Sequence, residues 1–332
     1  MNKPYVRWMV HLLKFVVAGA VLYWLFKGGK LHWGLILEGA MSPSVIVVGL
    51  ACNLILVSMA AVRWNFLLKG QGVSLPFLFV HHLTYVTAFF NQIIPGGIGG
   101  DALRLAFVLK QPNARKGQAA LTVVLDRFLG LFSLLLIAAL FSVLSLAPIL
   151  ASPPLTLLAT STILLVLVGP PILLLFFWLV GRSQDLPRWL QGKPGGLRDR
   201  VFRLTKEFSY YFRSGKKQVF WALVVSMVSQ MILIVSLIWI AYKLSILVIP
   251  MEAFFVAGPW AWVANILPIS PGGLGVGEAA FDQVCQWLSP ASAAVAFGTV
   301  FLINRMFMIL GSLPGLLFFL FRSRWLHEDQ SL

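Results

Sequence analysis

A chain of 332 residues that is 59% hydrophobic and 11% charged, with mean hydropathy +0.88, has more apolar surface than the core of a soluble protein can bury. That composition marks an integral membrane protein and excludes an ordinary soluble fold. A formal charge of +15 would suggest nucleic acid in a soluble chain, but here the basic residues gather in loops between apolar runs, so no nucleic acid partner is expected.

Apolar runs long enough to cross about 30 Å of hydrocarbon lie near 8–27, 43–62, 118–146, 154–181, 218–242 and 291–321. They predict an all-α polytopic membrane protein with about six full spans. Lys3 and Arg7 precede the first run, which contains Ala18-Gly19-Ala20, as a cleaved signal peptide would. Its continuation through VLYWLF favours an uncleaved span. Cys52 and Cys285 sit in apolar contexts without disulfide or metal-ligand spacing. Arg63 and Lys69, after the second run, read as cytoplasmic charges.

His81 and His82 are adjacent, so on a helix they face different sides, and no acidic or cysteine ligand set joins them. A hydrogen-bonded or interfacial role suits them, and neither metal nor cofactor is expected. Residues 91–104 then read NQIIPGGIGGDALR. Lys110, Arg115 and Lys116 read as cytoplasmic, so the stretch from about 74 to 110 must enter and leave on one side. Asp101 to Lys110 supplies only about 15 Å of helix, too little to span. A re-entrant hairpin broken at Pro95-Gly96-Gly97 is therefore predicted, its exposed backbone facing protein or a wet cavity.

Asp126 falls about 12 Å into the third run, and Arg127 follows it. A charge at a helix centre costs about 2.5–3.5 kcal/mol on insertion scales, so both side chains should face a polar interior and have partners. The segment from Arg182 to Lys217 holds ten Lys/Arg against three Asp/Glu and reads as a cytoplasmic loop. Within it, Leu197, Val201, Leu204, Phe208 and Tyr211/Phe212 form a helical stripe suited either to an anionic leaflet or to packing on the protein. Both termini then lie in the cytoplasm and 147–154 outside, with Lys27 and Lys30 against the trend.

The glycine device occurs twice. Residues 265–281, NILPISPGGLGVGEAAF, repeat Pro-Gly-Gly-[Ile/Leu]-Gly and then a Gly-acid-Ala, so that Gly100-Asp101-Ala102 matches Gly277-Glu278-Ala279. Asn91 matches Asn265, and TVVLDR ending at Arg127 matches TVFLINR ending at Arg305. The single membrane domain, 1–332, divides into a first half at 43–181, the basic loop at 182–217 and a second half at 218–322. Counting crossings makes this an inverted repeat, with two re-entrant Gly-rich hairpins entering from opposite sides.

The expected substrate-binding set is Asn91, Gly96, Gly97, Gly99, Gly100, Asp101, Arg104, Asp126 and Arg127 from the first half. Asn265, Gly272, Gly273, Gly275, Gly277, Glu278 and Arg305 complete it. Glycines let backbone N–H groups approach a ligand, helix N-termini favour anions, and the arginines suit phosphate. Asp101 and Glu278 are candidate counterions for Arg305 and Arg127, and Asp101 is also placed to cap its helix. Purely structural ion pairing is the competing reading. Gly273-x-Gly275-x-Gly277 lacks a βαβ context, no Walker lysine follows either loop, and no Ser-His-Asp pattern exists, so no catalytic residue is assigned.

NQIIPGGIGGDALR and PISPGGLGVGEAAF, followed by LDR and INR, resemble the lysylphosphatidylglycerol synthase transmembrane-region family, also called a flippase-like family. The resemblance covers about residues 10 to 320 and implies lipid handling: the best understood members carry a cytosolic aminoacyl-transferase and move aminoacylated phospholipid between leaflets, and others serve glycolipid or envelope assembly. This chain ends at Leu332, so the transferase domain and its activity are not expected. The resemblance implies a non-enzymatic lipid translocase of the bacterial cytoplasmic (inner) membrane, acting on a phospholipid or polyprenyl-linked lipid. Its transport would be downhill or coupled to ions through Asp101, Asp126 or Glu278, and a homo-oligomer or an envelope-biosynthesis partner is compatible. The alternatives are a membrane-embedded transferase using Asp101 or Glu278 as base, and a noncatalytic scaffold.

Overall fold

Backbone in hydrocarbon must satisfy its own hydrogen bonds, and among the described residues every regular element is a helix, with no strand. The computed structural model describes residues 4–93, 99–109, 116–182, 208, 215–266, 270–292 and 294–321. Helix α1 (Pro4–Lys27) leads through the short α2 (Trp33–Met41) into α3 (Pro43–Gly70), where Pro43 sits in the first turn without costing a hydrogen bond. Then follow α4 (Phe77–Ile93), α5 (Gly99–Val108), α6 (Lys116–Leu144), α7 (Leu146–Leu150) and α8 (Pro153–Arg182). The second half comprises α9 (Lys216–Lys243), α10 (Met251–Ala264), α11 (Val276–Leu288), α12 (Phe297–Ser312) and α13 (Pro314–Leu320).

Among the described residues, five stretches are long and apolar enough to cross a membrane: Pro43–Gly70, Ala120–Leu144, Pro153–Leu173, Lys216–Lys243 and Phe297–Leu320. The first expected run has a shorter apolar portion, Val16–Lys27, inside the longer helix α1. Two boundaries differ from the sequence expectation. Helix α3 continues past the expected boundary at 62 to Gly70, so Arg63 lies inside a helix, because Trp64, Leu67 and Leu68 are fully buried and hold that end in the bundle. The last run begins as helix only at Phe297, after a 3₁₀ turn at Pro290–Ser292, and is divided before Pro314. The basic segment lies outside the described residues apart from its ends and Phe208.

The helix contacts fall into two similar sets. Helices α3 and α9 lie against each other through the centre, and each packs on the following helix of its own half, α4 and α10. Likewise α5 packs on α4 and α6, as α11 does on α10 and α12. Across the halves, α6 meets α9 and α10, while α12 meets α3 and α4 and α13 meets α4. One apolar cluster surrounds Ile234, Phe254, Phe281 and Phe301, and a second surrounds Trp64, Leu83 and Leu125. By contrast, Leu157, Leu164, Leu167 and Leu175 of α8 are exposed, as expected of side chains in contact with lipid.

Small residues set how closely these helices approach, as is common where helices pack within a membrane. A Cβ on Gly315 would stand 2.1 Å from the Tyr85 carbonyl oxygen, whereas one on Gly19 meets nothing within 4 Å. Gly315→Ala should therefore lower stability by about 1–3 kcal/mol through forced separation of α13 and α4. Gly19→Ala should be neutral or stabilising by up to about 1 kcal/mol. Thermal unfolding of the two variants in detergent checks the contrast.

Candidate functional site

The first motif closes on itself through a glycine contact. Asn91 Oδ1, near the end of α4, accepts a hydrogen bond from Gly100 N at 3.0 Å. A Cβ on Gly100 would lie 2.2 Å from the Thr87 carbonyl oxygen, so only glycine lets α5 sit this close to α4. That approach places Asp101 in the first turn of α5, where its Oδ2 accepts from Arg127 Nε at 2.7 Å. Arg104, further along α5, donates from Nη1 to Asp126 Oδ2 at 3.0 Å, with its guanidinium 4.2 Å from the Trp64 ring centre. Asp126 Oδ1 accepts from Arg63 Nε at 2.7 Å. One carboxylate thus holds two guanidiniums, from α3 and α5.

The second motif repeats the device with tighter closure. Gly272, Gly273 and Gly275 have φ of 60°, 71° and 84°, the left-handed region in which a side chain is strained. This turn directs the Gly272 and Gly273 carbonyls at Arg305, which donates from Nη1 at 2.5 Å and from Nη2 at 3.3 Å respectively. Nη2 also donates to Asn265 Oδ1 at 2.8 Å. Glu278 pairs with Arg305 Nε through Oε1 at 2.7 Å, and its Oε2 accepts from Gly275 N at 2.7 Å. A Cβ on Gly277 would lie 2.2 Å from Asn265 Oδ1, as one on Gly100 would lie 2.8 Å from Asn91 Oδ1.

The acid–arginine pairs form within each half: Asp101 with Arg127 and Glu278 with Arg305. They differ in exposure, the Arg127 side chain being 55% exposed and that of Arg305 5%. The halves also differ one residue earlier. Asp126 before Arg127 becomes Asn304 before Arg305, and Asn304 Oδ1 accepts from Ser236 Oγ at 2.9 Å where Asp126 accepts from arginines.

Between the motifs lies a cavity of about 650 Å³. Asn91, Gln92 and Asp101 line it from the first motif, and Asn265, Ser270, Gly272 and Gly273 from the second. Arg63, Asp126, Arg127 and Gln230 supply further polar wall, and Phe128, Leu134, Leu233 and Trp262 apolar wall. The motifs approach closely there: a Cβ on Gly272 would lie 3.8 Å from the Gln92 carbonyl oxygen. Arg104, Glu278 and Arg305 are buried against protein and brace this wall, while Gly99 begins α5 and Gly275 packs on Val21 of α1. Gly96 and Gly97 lie outside the described residues.

Sequence reasoning missed Arg63 as a member of this site, and with it Ser226 and Gln230. Arg63 donates from Nη1 to Ser226 Oγ at 3.1 Å, tying α3 to α9 beside Asp126. The signal available was the apolar WNFLL that follows Arg63, which keeps it inside a span. His81 Nε2 bonds with Ser58 Oγ at 3.2 Å, and the His82 ring lies 4.2 Å from that of Phe318. Among the described residues, no group of three His, Cys, Asp or Glu is placed to hold a metal ion.

The model of the family described as lysylphosphatidylglycerol synthase TM region matches residues 11–312. A UPF0104 membrane protein of Pyrococcus horikoshii is 33% identical over 86 residues, 25% of this chain and 26% of that protein. The alignment thus spans about a quarter of that relative's length. No solved structure matches.

Unequal burial of the two pairs predicts unequal losses. Glu278→Gln strands the Arg305 cation and should cost about 3–5 kcal/mol. Arg127→Gln, at an exposed pair, should cost at most about 1 kcal/mol. Thermal unfolding in detergent should rank the variants in that order, and equal losses would show that burial does not set the strength of these pairs.

Proposed function

The chain belongs to the lysylphosphatidylglycerol synthase transmembrane-region family, and from that membership and the cavity between its glycine motifs we propose that it moves a lipid between leaflets. The headgroup of a phospholipid or lipid-linked precursor occupies the cavity while its acyl or prenyl tails stay in the bilayer. The observation that carries this reading is the lining itself: residues of both motifs share one cavity, with charged and polar groups set in a largely apolar wall, whose volume suits a small headgroup. In this reading the motifs are re-entrant hairpins of an inverted repeat, alongside about six full spans. The two-fold pattern of helix contacts supports it. Opposed hairpins at one cavity permit alternating access, each half closing one side.

Asp101 and Glu278 are each held by a guanidinium at 2.7 Å, which suits positioning of the loops better than service as a free base for group transfer. The protein is accordingly read as a translocase of the cytoplasmic membrane with both termini inside.

Reconstitution tests the reading. Purified protein in liposomes should accelerate the exchange of fluorescent phospholipid or polyprenyl-linked lipid between leaflets, measured by quenching of the outer leaflet. Exchange no faster than in protein-free vesicles across that panel would remove the proposal. A bis-maleimide bridging Gln92→Cys and Leu274→Cys, in a background lacking Cys52 and Cys285, should form and slow transport. Unimpeded transport after complete cross-linking would rule out separation of the motifs as part of the cycle.

A further inference from the structure

Resting on the translocase reading, the two halves divide the labour, and we infer that Arg63 is the headgroup-binding residue, selecting a lipid whose headgroup bears one net negative phosphodiester charge. Arg305, by contrast, is a positioning residue.

The inference follows from how each guanidinium is used. Arg305 spends all three nitrogens on protein: Nε on Glu278, Nη1 on the Gly272 carbonyl, and Nη2 on Asn265 and the Gly273 carbonyl. Its charge is cancelled by Glu278, and its directionality is consumed in holding the turn. Arg63 spends Nε on Asp126 and Nη1 on Ser226, and it lines the cavity. Among the described residues its Nη2 has no hydrogen-bond partner, which leaves one guanidinium NH₂ group for a phosphate oxygen.

Charge balance agrees. Asp126 is one carboxylate shared by Arg63 and Arg104, whereas Asp101 answers Arg127 and Glu278 answers Arg305. The described site therefore retains one positive charge, beside Asp126. That excess favours a monoanion and disfavours a zwitterion, whose ammonium group brings back a positive charge. The second half cannot duplicate this subsite, because Asn304 stands where the first half has Asp126 and is bonded to Ser236. Gln230 on α9, which donates to the Gly130 carbonyl at 3.4 Å, borders the same wall.

The test measures binding apart from transport, with three probes: short-chain phosphatidylglycerol, short-chain phosphatidylcholine and inorganic phosphate. Purified protein in detergent should bind the first at least about tenfold more tightly than the second, because both offer phosphodiester oxygens to Arg63 but only the second brings a cation against the site's excess positive charge. Arg63→Gln should abolish that preference. Arg63→Lys, which keeps the charge and the Asp126 partner but loses the fork, should retain part of it. To cover misfolding of Arg63 variants, Gln230→Cys in a background lacking Cys52 and Cys285 leaves Arg63 intact. Short-chain phosphatidylglycerol should slow its maleimide labelling, and phosphatidylcholine should not.

Equal binding of the two lipids, or labelling that phosphatidylglycerol does not slow, overturns the assignment. Inorganic phosphate binding as tightly as phosphatidylglycerol would assign the site to the free anion and overturn the lipid specificity. Selective binding with no leaflet exchange in liposomes would leave the Arg63 site standing and remove the translocase reading instead.

Discussion

A guanidinium buried among apolar helices has to be neutralised where it stands, and the structure around both glycine motifs follows from that requirement. Arg305 is 5% exposed, so its counterion, Glu278, must come from the neighbouring α11, and the remaining donors must find carbonyl oxygens nearby. Only a turn in the left-handed region brings the Gly272 and Gly273 carbonyls to it. The glycines thus serve the arginine as much as any ligand. In the second motif they offer it carbonyls, and the N–H of Gly275 goes to Glu278.

The first motif solves the same problem with more charge and less closure. Asp126 bridges Arg63 and Arg104, which joins α3, α5 and α6, and the Arg63 contact to Ser226 extends the tie to α9. A network with two cations on one acid is poorly suited to being purely structural, because a neutral pair would meet the same packing need at lower desolvation cost. In the proposed reading, a transient anion in the adjoining cavity answers the excess charge. The quieter contact in the second half, Ser236 to Asn304, shows the position packed without charge.

Asymmetry between related halves also bears on motion. The equivalent helices pack in equivalent ways, so the halves have similar mechanical connections to the central α3–α9 contact. Their polar locks differ in burial, and separating a buried pair costs more than separating an exposed one. The Asp101–Arg127 contact is thus the weaker of the two acid–arginine pairs, while the buried Arg104–Asp126 pair still ties α5 to α6 at the first motif.

Much of this was legible in the residues. Hydropathy determined that the chain belongs in a membrane as helices, since uncharged runs of about 20 residues have no other stable form there. The doubled motif pointed to the candidate site, because a Pro-Gly-Gly turn followed by an acid and, further on, an arginine is costly in hydrocarbon unless each group is answered. The pattern marked Asp126, Arg127 and Arg305 as charges in need of partners and offered Asp101 and Glu278 as counterions for Arg305 and Arg127; in the structure each acid pairs with the arginine of its own half. What the linear pattern could not supply was Arg63, read as a cytoplasmic charge because one charge after an apolar run looks like a span ending. Nor could it supply the unequal use of the arginines, or the cavity between the motifs. Those depend on which groups meet across α3, α6 and α9, far apart in the chain, and on how much of each is left exposed once they meet. Periodicity and composition determine what a segment must bury; only the packed helices decide which partner satisfies each charge, and so which cation is left for a ligand.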